Sequence, residues 1–294
     1  MSERIAFLNG EYLPESDLSV PVSDTGFLMG VTVAEQIRTF RGRPFWLDRH
    51  LVRFNDGLAY LNIDLPVGRQ RIFDTVHTLI NKNIQTYPEG QELGITIFAT
   101  PGPYAAYQSD ETGPTYAVHT YPLKTGSWRE KYATGQEVEV VDVRQVPEDC
   151  WPHALKCRSR MHYFLATKQV QAINPRAVPL LLNHDETVSE FPIANLIAYD
   201  KHNGLVSPPL TRILHGVSLE YVHQLANRLS MPFTFQDLTV NDLLGADEIL
   251  MTSTPFCILP VSRLNGQKIG ETFPGPVFTK LLTEWKNDVG VDQF

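Results

Sequence analysis

The amino-acid sequence predicts a two-domain α+β protein with a small α/β N-terminal domain and a larger C-terminal domain. Strand-like and helix-like patterns are mixed in the first 123 residues, and the pattern lapses into glycine, serine and charged residues around Lys124–Tyr132. A chain of 294 residues is long enough for two modest domains that each bury a core. We therefore expect domains at 1–123 and 134–294, joined by a linker at 124–133.

Composition excludes several classes of protein. The formal net charge is -8 and the chain contains no basic run, which argues against nucleic acid as the main partner. No apolar run is long enough to cross a bilayer, and the N-terminal residues lack the apolar region of a signal peptide. The three cysteines suggest neither a disulfide framework nor a zinc site. We expect a cytoplasmic, soluble protein with no metal site and no membrane partner.

The N-terminal half opens with a predicted hairpin. Asn9-Gly10 is a strong signal for a tight turn, and short apolar segments flank it on both sides. A second hairpin is predicted where an alternating, β-branched segment turns at Arg41-Gly42. Further predicted elements of this half are helices from Asp48 to about Leu61 and over about Arg69–Tyr87, and strands at Leu93–Thr100 and Thr115–Pro122.

The C-terminal half alternates strands with three predicted helices. The strands are expected at Glu137–Val143, Val178–Leu182, Thr187–Glu190, Leu196–Asp200, Leu205–Ser207 and Ile249–Thr254. One helix follows Lys156 and continues to about Ile173, and another closes the chain over Pro276–Trp285. The remaining helix is predicted to begin at Ser218, a natural N-cap residue, and to continue past Leu225.

Lys156 is the first candidate for chemistry. Apolar Leu155 and Cys157 flank it, and Arg158 and Arg160 follow closely. Burial and nearby cations both disfavour the ammonium form of a lysine, and a neutral amine is what Schiff-base chemistry on a carbonyl requires. From this stretch alone, a surface lysine beside a basic helix start is the simpler interpretation.

The order of the candidate groups favours the chemical interpretation. Lys156 is followed by a carboxylate at a predicted strand end, Glu190, and by a helix start at Gly216–Ser218 whose backbone N–H groups suit an anion. A hydroxyl pair, Ser253-Thr254, comes after these. An amine for the aldehyde, an acid for the ring nitrogen and a cup for the phosphate are what pyridoxal 5′-phosphate needs.

In this order and content the chain resembles the class IV aminotransferases, the fold-type IV family of pyridoxal-phosphate enzymes. That family includes branched-chain and D-amino-acid aminotransferases, R-selective amine transaminases and aminodeoxychorismate lyase. The resemblance covers nearly the whole chain, and family-like segments begin at Val22, Glu35, Asp48 and Leu214. It implies a barrel-like β core in the C-terminal domain, a homodimer, and ping-pong transfer of an amino group from an amino acid or amine to a 2-keto acid.

The resemblance also implies roles for individual residues. Lys156 matches the Schiff-base lysine that moves the proton, and Glu190 matches the acid opposite the pyridine nitrogen. Asn195 matches the asparagine that supports the acid, and Leu214 matches the apolar residue on the ring face. The implied phosphate contacts are Arg53, Gly216, Val217, Ser218, Ser253 and Thr254.

The substrate pocket departs from the family pattern. Ala34 replaces a common aromatic residue, and Pro192, Ile197 and Leu219 also differ from the usual residues. The arginine of branched-chain enzymes is absent from Leu93–Thr100, and the basic residues of the following turn are absent too. Candidate substrate residues are Ala34, Arg38, Arg158, Arg160 and Pro255, although the arginines are equally explained as structural ion-pair partners. The amino donor and its stereochemistry therefore stay open.

Two other functions remain possible from the sequence. A lyase of the aminodeoxychorismate type is suggested by the segment Ala194-Asn195-Leu196 after Glu190 and by Arg160. The missing basic residues at Pro101–Tyr107 count against it, because that substrate carries two carboxylates. A non-catalytic scaffold is the other alternative, and the intact set of Lys156, Glu190 and Arg53 argues against it.

Overall fold

A computed structural model describes residues 3–109 and 113–292, which form two compact units. The first unit contains the residues up to Lys124 together with Leu155–Ser159. The second contains Thr125–Ala154 and the chain from Arg160 onward. Within these described ranges, no helix is both long and apolar enough to cross a membrane.

The first unit consists of one antiparallel sheet and two long helices. Its strands are β1 (Ile5–Leu8), β2 (Glu11–Pro14), β3 (Val33–Phe40), β4 (Arg43–Pro44), β5 (Leu93–Thr100) and β6 (Thr115–Pro122). Its helices are α1 (Thr25–Leu28), α2 (Leu47–Tyr60) and α3 (Arg69–Asn83), with 3₁₀ turns at Glu15–Asp17, Ile84–Thr86 and Ala105–Tyr107. The strand order across the sheet is β2-β1-β6-β5-β3-β4.

The apolar side chains of α2 and α3 pack on one face of this sheet. Leu51 and Phe54 of α2 belong to the same buried cluster as Val33 and Ile37 of β3. Because side chains alternate along a strand, Glu35 lies on the same face of β3 as Val33 and Ile37. The sheet thus places a carboxylate under α2, among apolar neighbours.

The predicted elements of this unit are confirmed where their signal is local. Asn9 and Gly10 both have positive φ angles, as a two-residue type I′ turn requires, and β1 pairs with β2 across them. The bounds of β5 and β6 coincide with the predicted ranges. The predicted second helix ends earlier than expected, at Asn83, and a 3₁₀ turn completes it.

The second unit is built on a mixed eight-stranded sheet. Its strands are β7 (Gln136–Arg144), β8 (Ala177–Leu182), β9 (Asn195–Asp200), β10 (Gly204–Ser207), β11 (Phe233–Phe235), β12 (Glu248–Ser253), β13 (Cys257–Leu264) and β14 (Gln267–Lys268). Its helices are α4 (Gly126–Arg129), α5 (Lys131–Thr134), α6 (Met161–Ile173), α7 (Val217–Arg228), α8 (Val240–Leu244) and α9 (Pro276–Val289), and Leu210–Arg212 form a 3₁₀ turn.

The strand order of this sheet is β11-β10-β9-β12-β13-β7-β8, with β14 beside β13. The parallel pair of β7 and β8 is joined through α6, and the parallel pair of β10 and β11 is joined through α7. Such crossovers through a helix are what parallel neighbours require. The prediction of a mixed two-domain fold is confirmed.

Three predicted features of the second unit differ in the structure. The expected linker contains α4 and α5, because Trp128 and Tyr132 pack against the core of this unit. The expected strand at Thr187–Glu190 is reduced to one isolated bridge between Leu182 and Val188. The N-cap of α7 is Gly216 rather than Ser218, which lies buried inside the first turn.

The segment that carries Lys156 belongs to the first unit, whereas we expected it in the C-terminal domain. The backbone N–H of Ala34 donates to the carbonyl of Lys156 at 2.9 Å. Cys157 forms an antiparallel bridge with Val33, and Ser159 Oγ donates to the carbonyl of Gly30 at 2.9 Å. These bonds attach the segment to the start of β3.

Candidate active site

Glu35 is the centre of a buried charged cluster beneath α2. Its side chain is fully buried, and Arg53 donates to both of its oxygens, from Nε to Oε1 and from Nη2 to Oε2, each at 2.7 Å. His50 Nδ1 lies 2.8 Å from Oε2. Burial by itself would raise the pKa of Glu35, but the charge and hydrogen bonds of Arg53 and the bond from His50 hold that pKa at about 2. The carboxyl is therefore ionised at neutral pH.

His50 is held in one tautomer by this carboxylate. Burial lowers its pKa, and although Glu35 opposes this, the charges of Arg53 and Lys156 add to the lowering. A neutral imidazole that donates from Nδ1 has an unprotonated Nε2. That Nε2 is buried and has no hydrogen-bond partner among the described residues. The first unit thus presents a buried acceptor atom whose electrostatic environment includes Lys156.

The Glu35 cluster predicts a specific acid sensitivity. Because the pKa of Glu35 in the folded protein, about 2, lies below its ordinary value of 4.5, its stabilising effect is complete above pH 4.5 and is lost as the pH falls towards 2. Glu35→Gln should lower the free energy of unfolding at pH 7 by about 3–5 kcal/mol, as expected when a buried ion pair is broken. It should also flatten the pH dependence of the free energy of unfolding between pH 4.5 and pH 2.

Urea unfolding at several pH values measures this effect. Glu89→Gln, at an exposed position, is the matched control and should leave the pH profile unchanged. A Glu35→Gln variant with the same acid sensitivity as the parent protein would show that this carboxyl does not control it.

In the second unit, Glu190 is held by four hydrogen-bond donors. Its Oε1 accepts from Tyr163 Oη at 2.8 Å and from Gln145 Nε2 at 3.2 Å. Its Oε2 accepts from Asn195 Nδ2 at 3.0 Å and from the backbone N–H of Leu214 at 3.1 Å. Hydrogen bonds to the ionised form stabilise it, so the carboxylate can remain an anion despite burial.

Asn195 links this acid to the start of α7. Its Nδ2 also donates to the carbonyl of Leu214 at 2.9 Å, and its Oδ1 lies where a Cβ on Gly216 would be only 1.8 Å away. Only glycine fits beside Asn195 at this position. The sequence prediction placed Glu190, Asn195, Leu214 and Gly216 in one site, and the structure brings these four residues together.

The N-terminus of α7 has the properties of an anion site. Val217, Ser218 and Leu219 are 4%, 4% and 1% exposed, and no described side chain caps this helix. The first N–H groups of a helix have no intrahelical acceptor, so a buried and uncapped start needs another partner. Its partial positive charge favours an anion. The residues present therefore fit the phosphate of pyridoxal phosphate.

The turn after β12 holds the remaining predicted phosphate residues. Ser253 Oγ donates to the carbonyl of Ile193, and Thr254 and Pro255 are half-buried in the turn that leads to β13. Thr252 lies opposite Asn195 in the β12–β9 register, and its Oγ1 is buried without a described partner. Thr252 was not predicted, and its orphaned hydroxyl is the signal that adds it to the candidate site.

The candidate substrate residues lie at separate places in the two units. Ala34 and Arg38 are buried on β3, where Arg38 donates from Nε to the carbonyl of Thr39 and lies over the ring of Phe40. Arg158 is exposed in the first unit. Burial raises the pKa of Tyr121, and the positive charge of Arg158 partly offsets this rise. In the second unit, Arg160 donates to the carbonyl of Pro192.

Gly94 is a tightly packed position of β5, a strand that contains no arginine. This glycine pairs with Arg38 on one side and with Tyr121 on the other. A Cβ at Gly94 would lie 2.2 Å from Tyr121 Cζ, so the tyrosine ring occupies the space that a larger residue would need. The ring of Tyr121 thus fills the space beside Gly94.

Known proteins resemble this chain over most of its length. The profile of the family described as Amino-transferase class IV matches residues 32–264. The chain belongs to the class IV aminotransferases. It is 26% identical to a D-alanine aminotransferase from Bacillus licheniformis over 96% of this chain and 95% of the relative. It is 27% identical to an aminodeoxychorismate lyase from Bacillus subtilis over 90% of this chain and 88% of the relative.

A class IV aminotransferase fold is also evident in the solved structures. The branched-chain amino acid aminotransferase from Escherichia coli matches with a TM-score of 0.88 at 21% identity, covering 97% of this chain and 94% of that one. A branched-chain amino acid aminotransferase solved with pyridoxamine 5′-phosphate matches with a TM-score of 0.86. Class IV aminotransferases depend on pyridoxal phosphate, and the chain is an enzyme of this transaminase class.

Several residues that contact the candidate site were not predicted. They are His50, Gln145, Tyr163 and Thr252, while Glu35 was noted only as part of a family-like segment. Tyr163 lies seven residues after Lys156, and Gln145 directly follows the end of β7, but neither position has a sequence signal that points to Glu190. Their roles follow from contacts between residues far apart in the chain.

Proposed function

We propose that this enzyme transfers an amino group from an amino acid or amine to a 2-keto acid by a ping-pong mechanism, with Lys156 as the catalytic amine. The four-donor environment of Glu190 beside the uncapped, buried start of α7 carries the proposal. An ionised acid and an anion site are the two groups that a pyridine ring with a phosphate requires. Arg53 is proposed as a further phosphate contact through its positive charge, since its Nε and Nη2 already donate to Glu35.

When bound, pyridoxal phosphate supplies an aldehyde that holds the amino group and a cationic ring that accepts electrons from the substrate Cα. Lys156 would bond that aldehyde and then, once displaced by the donor, move the proton away from Cα. Glu190 would hold the ring nitrogen in its protonated form. Asn195 would keep Glu190 oriented, Leu214 would pack on the ring, and Val217, Ser218 and Thr254 would bind the phosphate.

The test is an absorbance titration of the purified protein with L- and D-amino acids and simple amines. We expect a donor to shift the visible band of the aldehyde form to the shorter-wavelength band of the amine form, and a 2-keto acid to reverse the shift. Donors that leave the first band unchanged are not substrates. A protein that cannot be loaded with pyridoxal phosphate would refute the proposed function.

A lyase that releases pyruvate is the alternative, and the aminodeoxychorismate lyase among the relatives favours testing it. Such a substrate carries two carboxylates, and the missing basic residues at Pro101–Tyr107 count against it. Pyruvate release from aminodeoxychorismate, with no spectral change from any amino donor, would replace transamination by the lyase reaction.

We also propose that the enzyme is a cytoplasmic homodimer. The first unit exposes a group of apolar side chains, with Val22, Phe27 and Met29 at 73%, 70% and 59% exposure and Tyr107 at 62%. Exposed apolar groups of this kind are typical of protein interfaces. Light scattering on the protein as it elutes from a size-exclusion column should give twice the chain mass. Phe27→Glu should shift that mass towards the mass of the monomer. A monomeric parent protein would contradict the proposal.

A further inference from the structure

Tyr163 and Gln145 form a closed triangle with one oxygen of Glu190. Tyr163 Oη and Gln145 Nε2 both donate to Glu190 Oε1, at 2.8 and 3.2 Å, and Gln145 Nε2 also donates to Tyr163 Oη at 3.0 Å. Gln145 Oε1 accepts from the backbone N–H of Val146 at 2.9 Å. This last bond fixes the orientation of the amide, so its nitrogen faces the acid.

The direction of the hydrogen bonds in the triangle follows from chemistry. An amide nitrogen can only donate, so Tyr163 Oη accepts from Gln145 and gives its own proton to Glu190. Burial, followed by the charge of Glu190, raises the pKa of Tyr163 well above 10. The phenol therefore keeps its proton throughout the working pH range of the protein and remains a donor.

The charged and titratable neighbours of Tyr163 do not reverse this direction. The guanidinium carbon of Arg160 lies 4.9 Å from the centre of the Tyr163 ring, and the ring of His162 lies 3.9 Å from it. Burial, Arg160 and His153 lower the pKa of His162 to about 4, so His162 is neutral at pH 7. The donors on Oε2, Asn195 and the Leu214 backbone, carry no charge.

We propose that Tyr163 is a positioning residue for Glu190. The Tyr163 hydroxyl orients the carboxylate towards the ring nitrogen of the cofactor and stabilises the ionised form of the acid. The reference to the cofactor rests on the proposed function. Hydrogen bonds to an ionised acid favour that form, and bonds to a charged group are stronger than bonds between neutral groups. Arg160 supports the same loop by its bond to Pro192, two residues beyond the acid.

Tyr163→Phe tests the proposal, because it removes the hydroxyl and keeps the ring that contacts His162 and Arg160. The titration of Glu190 can be followed by ¹³C NMR of the full-length, cofactor-free protein labelled at glutamate Cδ, with Glu190→Gln to assign the signal. We expect the pKa of Glu190 to rise by about one to two units in Tyr163→Phe.

Tyr132→Phe is the matched control in the same unit. It removes a tyrosine hydroxyl that donates at 2.7 Å to a backbone carbonyl, that of Phe256, and not to the acid. It should leave the titration of Glu190 unchanged. An unmoved titration in Tyr163→Phe, or an equal shift in Tyr132→Phe, would overturn the proposal.

Kinetics on the loaded enzyme separate this inference from the proposed function. Tyr163→Phe should lower kcat by about 10- to 100-fold, the size of effect typical of a partner that orients a functional group, while KM for the donor stays within about twofold. A shifted Glu190 titration in a protein that transfers no amino group would refute the proposed function but support the effect of Tyr163 on Glu190. Active transamination with an unchanged titration and kcat would refute the role of Tyr163 alone.

Discussion

Replacement of Lys156 by alanine is expected to abolish amino transfer while leaving the fold intact. The side chain of Lys156 is half-buried, and the bond between Lys156 and Ala34 of β3 is made by backbone atoms. Truncation at Cβ therefore removes the amine and keeps the pairing. Loss of the group that moves the proton should lower kcat by at least about 100- to 10,000-fold.

Chemical trapping measures the covalent role of Lys156 separately from turnover. Borohydride reduction of the loaded parent protein should attach one cofactor permanently, and mass spectrometry of the digest should place it on Lys156. Lys168→Ala, at an exposed position on α6, is the matched control and should behave as the parent. A trapped cofactor on another lysine, or normal turnover by Lys156→Ala, would show that a different amine performs the reaction.

The elements that the sequence predicts well are those with short-range causes. The turn at Asn9-Gly10 depends on the conformational freedom of two adjacent residues, and its positive φ angles are seen in the structure. The strand β5 follows from a short run of mainly apolar residues that is buried along nearly its whole length, and the helix α2 follows from a period of 3.6 residues. These elements depend on residues close together in the chain, so the sequence alone predicts them.

The contacts of the candidate site could not be predicted in the same way. Glu190 and Tyr163 are 27 residues apart and Gln145 is 45 residues from Glu190, so their contact depends on how β7, α6 and the loop after β8 pack. The bond from Arg53 to Glu35 likewise spans two elements. The order of the candidate groups and the family resemblance identified Glu190 as an acid of interest, but the donors around it appear only in three dimensions.

The start of α7 shows how a tertiary contact overrides a local preference. Serine is a favoured N-cap residue, which led to the prediction of Ser218, yet the helix starts at Val217 with Gly216 as its cap. Asn195 lies so close to residue 216 that a side chain there would collide with it. Asn195 thus leaves no room for a side chain at residue 216, whatever the capping preference of that side chain.

Gly216→Ala should therefore disturb both the fold and the binding of the cofactor. The backbone at Gly216 has φ -67° and ψ 127°, which alanine adopts without strain, so any effect comes from the added methyl group. Its Cβ would lie 1.8 Å from Asn195 Oδ1, and Asn195 is itself held by bonds to Glu190 and Leu214. We expect the free energy of unfolding to fall by about 1–3 kcal/mol.

The dissociation constant for pyridoxal phosphate should rise at least about tenfold in Gly216→Ala, because the methyl group displaces Asn195 from the acid and crowds the helix start. Gly68→Ala is a close control. Gly68 is also an uncapped N-cap with φ -75°, and no described atom lies within 4 Å of its added Cβ. The free energy of unfolding of Gly68→Ala should stay within about 0.5 kcal/mol of that of the parent protein.

A double-mutant cycle decides whether the collision with Asn195 is the cause. If it is, Gly216→Ala should cost little stability in a protein that already carries Asn195→Ala, because the opposing side chain is gone. The two changes would then be strongly non-additive, as expected for residues in contact. Additive costs would show that the methyl group acts through the helix start itself, and the glycine would then be explained by close approach of the bound phosphate rather than by Asn195.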